Sequence, residues 1–277
     1  MQNTAQKLII YHGNCADGFG AAWCFWKVYG SSAEYYPGVY QKSPPSCVGK
    51  DVFLVDFSYK RHIVEEIIKE AASVTLIDHH KTALEDLQGL PNLKYFCSLE
   101  HSGAVLAWKF LFGDIDPPLL LGHIEDRDLW KFKLPNTREI QANVFSYPYD
   151  FETWDTMMKA DQTELLKMTV AGAAIERKHF KDIRELLKEV TRPMCIGNHI
   201  VPVASLPYTM VSDAATILAE NHPFAACYHD TATDRCFGLR SVEGGMDVSK
   251  IALMYGGGGH PRSSGFKVPR EHILARS

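Results

Sequence analysis

Val74-Thr75-Leu76-Ile77-Asp78-His79-His80 opens as an apolar, β-branched run and closes on a carboxylate and two imidazoles. Such a run reads as a buried strand, and titratable groups at its end are rarely buried without partners. Two runs upstream end the same way, Leu8-Ile9-Ile10-Tyr11-His12 and Phe53-Leu54-Val55-Asp56. In an open α/β sheet the parallel strands deliver their C-terminal ends to one edge, where ligands bind. The three endings, with the acidic cluster Glu125-Asp126-Arg127-Asp128, therefore predict one convergent site. A polar turn after a core strand is a fair account of any one run and a poor account of all three. Carboxylate and imidazole donors suit a hard divalent ion such as manganese or magnesium better than structural zinc.

Between these strands the apolar spacing turns helical. Asp17 to Tyr29 carries Phe19, Trp23 and Trp26 on one face, read as core packing rather than a base-stacking platform, and Gly30-Ser31-Ser32 ends the helix. Ile63, Val64, Ile67, Ile68 and Ala71 form a second amphipathic face, with Ser58 as its cap. Strand and helix in alternation are the rhythm of a doubly wound sheet. A further helix starts around Glu100 to Trp108, where His101 and Ser102 read first as helix-start residues and His101 second as a minor ligand candidate. Gln162 to Val190 is helical throughout, and Pro193 follows as a stop. Beyond it the text is β-rich, with a helix at Asp213 to Ala219, a hairpin around Thr231 to Arg235, and a helix at Val248 to Met254 running into four glycines. The reading is an α/β chain of two domains. A doubly wound, mostly parallel sheet fills residues 1–192, the long helix at its end acting as connector, and a smaller α/β domain fills 193–277.

Bulk properties narrow the function classes. A chain of 277 residues fits two domains of roughly 100 to 200 residues each. A net charge of -4 offers no global pull toward duplex nucleic acid, whose binding rests on many Lys and Arg contacts to phosphate. A small anionic substrate compensated by metal is easier to accommodate. Seven cysteines without regular spacing, and no C-x-x-C pair, argue against a disulfide framework and a thiolate zinc knuckle. The first seven residues lack the apolar core of a signal peptide, and no apolar run approaches the ~20 residues of a membrane span. The expectation is a soluble, cytoplasmic protein, monomeric or homodimeric, without a membrane partner.

Five segments resemble the DHH phosphoesterases. They are Tyr11-His12-Gly13-Asn14-Cys15-Ala16-Asp17-Gly18, Val55-Asp56, Asp78-His79-His80, Ile124-Glu125-Asp126 and Gly256-Gly257-Gly258-Gly259-His260-Pro261. The last resembles the signature of the C-terminal domain that accompanies the catalytic one in the RecJ-like and oligoribonuclease branch. The resemblance implies a catalytic DHH domain, a substrate-binding DHH-associated domain, and two Mn(II) ions bridged by Asp56, with Mg(II) or Co(II) as substitutes. It assigns one ion to Asp17, Asp56, His79 and Asp126, and the other to His12 and Asp56. Asp78 then steadies a histidine and His80 meets the substrate phosphate as donor or proton source. Arg127 and Asp128 read as salt-bridge partners. Gly257, Gly258, Gly259, His260 and Arg262, with Arg240 and Ser241, are the implied substrate-binding group.

The chain departs from the pattern in its first motif, where a second Asp is missing and Asn14 and Cys15 stand in its place. Asn14 could offer a neutral carbonyl oxygen, and a Cys15 thiolate would favour softer ions. A turn role for Cys15 without metal is the stronger reading. One tight and one weaker ion site are expected. The implied substrate is a short oligonucleotide or linear dinucleotide, cut to mononucleotides. A cyclic-dinucleotide phosphodiesterase is the close alternative, and a nucleotide-binding module that has lost catalysis is the alternative from another class.

Overall fold

The computed structural model describes residues 5–13 and 15–276. Two compact units divide the chain, Met1–Glu176 and Arg177–Ser277. The first begins β1 (Lys7–His12), α1 (Ala16–Tyr29), β2 (Ala33–Gly38), β3 (Asp51–Val55), α2 (Arg61–Glu70), β4 (Ser73–Ile77), α3 (Lys81–Leu87) and β5 (Leu93–Tyr95). It continues through α4 (Gly103–Phe112), α5 (Leu119–Asp128), α6 (Thr137–Val144) and α7 (Phe151–Met157) into α8 (Gln162–Val190), inside which the two units divide. All five strands are parallel, in the order β2-β1-β3-β4-β5. The winding direction reverses between β1 and β3, which is where such sheets open a crevice at their carboxyl ends.

The strands are apolar almost throughout because both faces are covered. Leu8 and Ile10, Val52 and Leu54, and Val74 and Leu76 lie in one core with Val64 and Ile67 of α2 and Leu87 of α3. Their neighbours Ile9, Val55 and Ile77 lie in the other, with Phe19, Trp23 and Phe25 of α1 and Leu106 of α4. That alternation is the period of two expected of a strand. Trp23 and Trp154 are fully buried, and truncating either to Ala removes about 3–5 kcal/mol of stability.

Helix boundaries follow local chemistry. Gly30, with φ 50°, ends α1. Ser102 caps α4, its hydroxyl accepting from the Val105 amide. Ser58 does not cap α2. Lys60 holds that position without a side-chain cap, and the Arg61 amide donates instead to Asp86 Oδ2 of α3 at 2.9 Å. A tertiary carboxylate has taken over the work of a local cap.

In the second unit α8 gives way to β6 (Thr191–Ile196), β7 (His199–Ser205), α9 (Val211–Ala219), β8 (Ala225–Asp230), β9 (Asp234–Arg240), α10 (Val248–Leu253), β10 (Gly258–His260), β11 (Ser263–Pro269) and α11 (Ile273–Arg276). The sheet runs β10-β11-β9-β8-β7-β6 and is antiparallel except between β7 and β8, whose crossover contains α9. An α/β chain with a doubly wound parallel sheet of five strands and a mixed sheet of six strands in the smaller second unit is thus the architecture. No helix among the described residues is long and apolar enough to cross a membrane.

Candidate metal centre

His12 closes β1, Asp56 follows β3 directly, and Asp78, His79 and His80 follow β4. The parallel register pairs Tyr11 with Val55 and Val55 with Ile77, so the three endings leave the sheet in step. Asp56 has φ 53°, a left-handed conformation uncommon outside glycine, while its amide still donates to the Ile77 carbonyl at 2.9 Å. The strand hydrogen bonding therefore persists while the chain turns at the carboxylate. Gly103 permits the packing at this point: a Cβ there would fall 2.4 Å from Asp56 Cβ.

The side chains meet closely. His79 Nε2 lies 3.1 Å from Asp56 Oδ1, 3.4 Å from Asp128 Oδ2 and 3.8 Å from Asp17 Oδ2. His12 Nδ1 lies 3.4 Å from Asp56 Oδ2. Asp17 accepts from the Gly103 and Ala104 amides at 2.6 and 3.1 Å, at the N-terminal end of α4. Asp78 Oδ1 accepts from the His79 and His80 amides and from the His80 ring at 2.8 Å. It therefore orients His80, whereas its bond to His79 is through the backbone. Among the described residues of this unit, donor groups with atoms within 4.8 Å of one another include Asp56, Asp78, His79 and His80; Asp17, His79 and Asp128; and His12, Cys15 and Asp56.

The electrostatics call for cations. Burial, then the charges of Asp56 and Asp128, push the Asp17 carboxyl well above its usual range. Asp128, whose side chain keeps 26% exposure, is raised as well, by partial loss of solvent around its carboxyl, with Asp56 adding to the shift and the neighbouring histidines opposing it. Burial pushes Asp56 upward too, but the facing His12 and His79 imidazoles overcome it and hold the group well below the usual carboxylate range. For His79 burial works against the charged ring, and Asp56, Asp128 and Asp17 outweigh it, moving the pKa up to about 11. Crowded carboxylates relieved only by protonated imidazoles are what a divalent ion would satisfy better. The donors fit that role: they are mainly carboxylate oxygens and imidazole nitrogens. Buried Asp56 Oδ2 has no hydrogen-bond partner among the described residues.

Not every predicted residue arrives here. His12, Asp17, Asp56, Asp78, His79 and His80 come together with Cys15, while Asn14 lies outside the described residues. Asp126 is a correction. Its carboxylate accepts from the Lys133 and Leu134 amides and the Thr137 hydroxyl at 2.7–3.0 Å, fixing the turn after α5. Asp128, read from sequence as no more than a salt-bridge partner, occupies the cluster instead. His101 is held by Glu125 and Lys109, outside the three donor groups described above.

In the second unit Arg240 pairs with Ser263 across β9 and β11, and the Ser241 amide donates to the Arg262 carbonyl. The glycine run is built into regular structure. Gly256 and Gly257 donate their amides to the Leu253 and Ala252 carbonyls, closing α10, while Gly258, Gly259 and His260 form β10 against β11. A Cβ on Gly257 would fall 2.1 Å from the Gly265 carbonyl oxygen, so close backbone approach requires this glycine.

Sequence reasoning missed Asp128 and Gly103. For Asp128 the available signal was two carboxylates two residues apart, whose side chains cannot share one helical face.

Comparison with known proteins gives three results. The uncharacterized protein R106 of Acanthamoeba polyphaga mimivirus is 32% identical over 285 residues, covering 93% of this chain and 66% of that protein. Oligoribonuclease NrnB of Bacillus subtilis (strain 168) is 24% identical over 244 residues, covering 79% of this chain and 60% of that protein. The chain thus spans just under two thirds of the length of the curated relatives it matches. Among solved structures, the DHH domain of a protein described as a member of a ribosomal-protein family matches with a TM-score of 0.55 at 10% identity, over 96% of this chain and 83% of that one. No family model matches the chain.

Proposed function

We propose that the chain is a member of the DHH family and a metal-dependent phosphodiesterase that cuts short oligonucleotides or linear dinucleotides to mononucleotides. The observation that carries the reading is the convergence of Asp17, Asp56, His79 and Asp128 at the carboxyl edge of the parallel sheet. The name oligoribonuclease borne by the Bacillus subtilis relative supports short chains as the substrate class.

Asp17, Asp56, His79 and Asp128 would hold one divalent ion, and His12 with Asp56 a second. Manganese is our choice for a site dominated by oxygen and imidazole donors. When bound, such a pair neutralises phosphoryl charge and supplies a nucleophile at neutral pH. Asp56 would be the shared ligand, since one oxygen faces His79 and the other faces His12. Asp78 fixes the His80 ring through Nδ1, and we assign to that ring the hydrogen bond to a substrate phosphate or the proton given to the leaving oxygen. We assign substrate recognition to the second unit, to His260, Arg262, Arg240 and Ser241 with Gly257, Gly258 and Gly259. A guanidinium suits bidentate contact with phosphate.

The test is a substrate panel with Mn(II), Mg(II) or Co(II), scored by chromatography of products: a di- to pentanucleotide ladder in RNA and DNA, cyclic dinucleotides and pyrophosphate. Release of mononucleotides from the short linear chains, lost in Asp56→Ala and His79→Ala, is the expected outcome. Activity untouched by both substitutions would discard the site. Binding without turnover under every metal would favour a nucleotide-binding module instead.

A further inference from the structure

We propose that Cys15 is a thiolate ligand of the ion held by His12 and Asp56, so that an oxygen-rich ion site is paired with a softer one. The inference rests on the metal-dependent reading above and goes beyond it in naming the third donor and the consequence for metal preference.

Cys15 occupies the N-cap position of α1, with φ -128° and ψ 135°. Ser, Thr, Asp or Asn in that place would fold back onto a helix amide. The thiol makes no such cap bond. Its sulfur lies instead within 4.8 Å of a His12 ring nitrogen and an Asp56 carboxylate oxygen. A second observation points the same way. Asp56 is 1% exposed, its Oδ2 has no hydrogen-bond partner among the described residues, and His12 Nδ1 lies 3.4 Å from that atom. A buried acceptor is therefore aimed into the group that contains the thiol.

Six other cysteines serve as internal controls. Cys24, Cys47 and Cys227 are buried, Cys97 and Cys236 half-buried and Cys195 exposed. Among the described residues, Cys15 alone of the cysteines is grouped with histidine and carboxylate donors. On binding, the Cys15 S–H bond breaks, its proton leaves to solvent, and a sulfur electron pair forms the bond to the ion. Sulfur in the donor set shifts preference from Mg(II) and Mn(II) toward Co(II), Zn(II) and Cd(II).

The experiment is a Co(II) titration of the full chain, followed by absorption. Intense sulfur-to-cobalt charge transfer in the near ultraviolet is expected, kept in Cys195→Ser and lost in Cys15→Ser, while the visible cobalt bands of the other site remain. Cys15→Asp should also lose the ultraviolet band and, by calorimetry, gain affinity for Mn(II) relative to Cd(II). A second measurement needs no variant: Cd(II) should protect Cys15 from alkylation in the wild-type chain, read by peptide mass spectrometry. Visible cobalt bands without charge transfer, charge transfer that survives Cys15→Ser, or equal alkylation with and without Cd(II) would each overturn the thiolate ligand and leave the phosphodiesterase reading standing. No cobalt binding at all would overturn both. A charge-transfer band in a chain that hydrolyses none of the substrates would sustain the ligand and sink the activity.

Discussion

His79 Nε2 stands 3.1 Å from Asp56 Oδ1, joining the end of β4 to the end of β3. Each of these side chains is 1% exposed. The pair sits where the winding of the sheet reverses, and Asp17 and Asp128 approach the same imidazole nitrogen. Like charges so placed repel unless a cation stands among them.

Asp128 and Asp126 should therefore respond oppositely to substitution. Asp128→Asn removes a carboxylate whose charge is disfavoured by partial desolvation and by Asp56, so the ion-free protein should melt no lower than wild type, while the rise in Tm on adding Mn(II) disappears. Asp126→Ala breaks three hydrogen bonds that hold the 133–137 turn. It should cost about 1–3 kcal/mol in urea unfolding. The reverse pattern would return the ligand role to Asp126.

Binding of metal should release protons. His79 is held protonated up to about 11 by Asp56, Asp128 and Asp17 despite its burial. At neutral pH an ion must displace that proton. A raised histidine pKa stabilises the ion-free fold fully below its ordinary 6.5, and that contribution is lost as pH climbs through about 11. Metal affinity should rise with pH over the same window. Calorimetry of Mn(II) binding in two buffers of different ionisation enthalpy should give different apparent heats; identical heats would mean that no proton leaves.

Gly103→Ala should damage the site without touching a proposed ligand. Its Cβ would meet Asp56 Cβ at 2.4 Å and Oδ1 at 2.7 Å, and overpacking of this kind costs typically about 1–3 kcal/mol. Lower Tm together with weakened Mn(II) binding is expected. Lower stability with unchanged metal binding would show that Asp56 is not positioned by this contact.

In the second unit, Asp230 pairs with Arg235 and Arg270, and their hydrogen bonds lower its pKa to about 2. A depressed carboxyl pKa gives stability present above its ordinary 3.8 and lost as pH falls through about 2. Asp230→Asn should lower the melting temperature at pH 7 and have progressively less effect as pH falls through that window. An equal loss at all pH values would point to packing rather than charge.

Much of this was legible in the chain because strand endings carry their own signal. Apolar runs closing on His12, Asp56 and Asp78-His79-His80 mark both the sheet and the edge where the candidate site forms. What stayed hidden depends on directions that a one-dimensional pattern does not encode. Asp126 and Asp128 are two residues apart on one helix, and only the turn built by Lys133, Leu134 and Thr137 decides that Asp126 faces inward to amides. Ser58 lost its capping role to Asp86, more than twenty residues away in sequence. The glycines before His260 marked a motif but not its backbone, in which two of their amides close a helix and Gly257 allows a backbone approach. Cys15 read as turn filler until the fold set its sulfur beside His12 and Asp56.

Anomalous scattering from crystals soaked in Mn(II) tests the central claim most directly, because it locates the ions independently of any assay. We predict manganese peaks at the carboxyl edge of the parallel sheet, with Asp56 coordinating and Asp17, His79 and Asp128 around one ion. Manganese bound elsewhere, or an Asp56 carboxylate that coordinates nothing, would contradict the account.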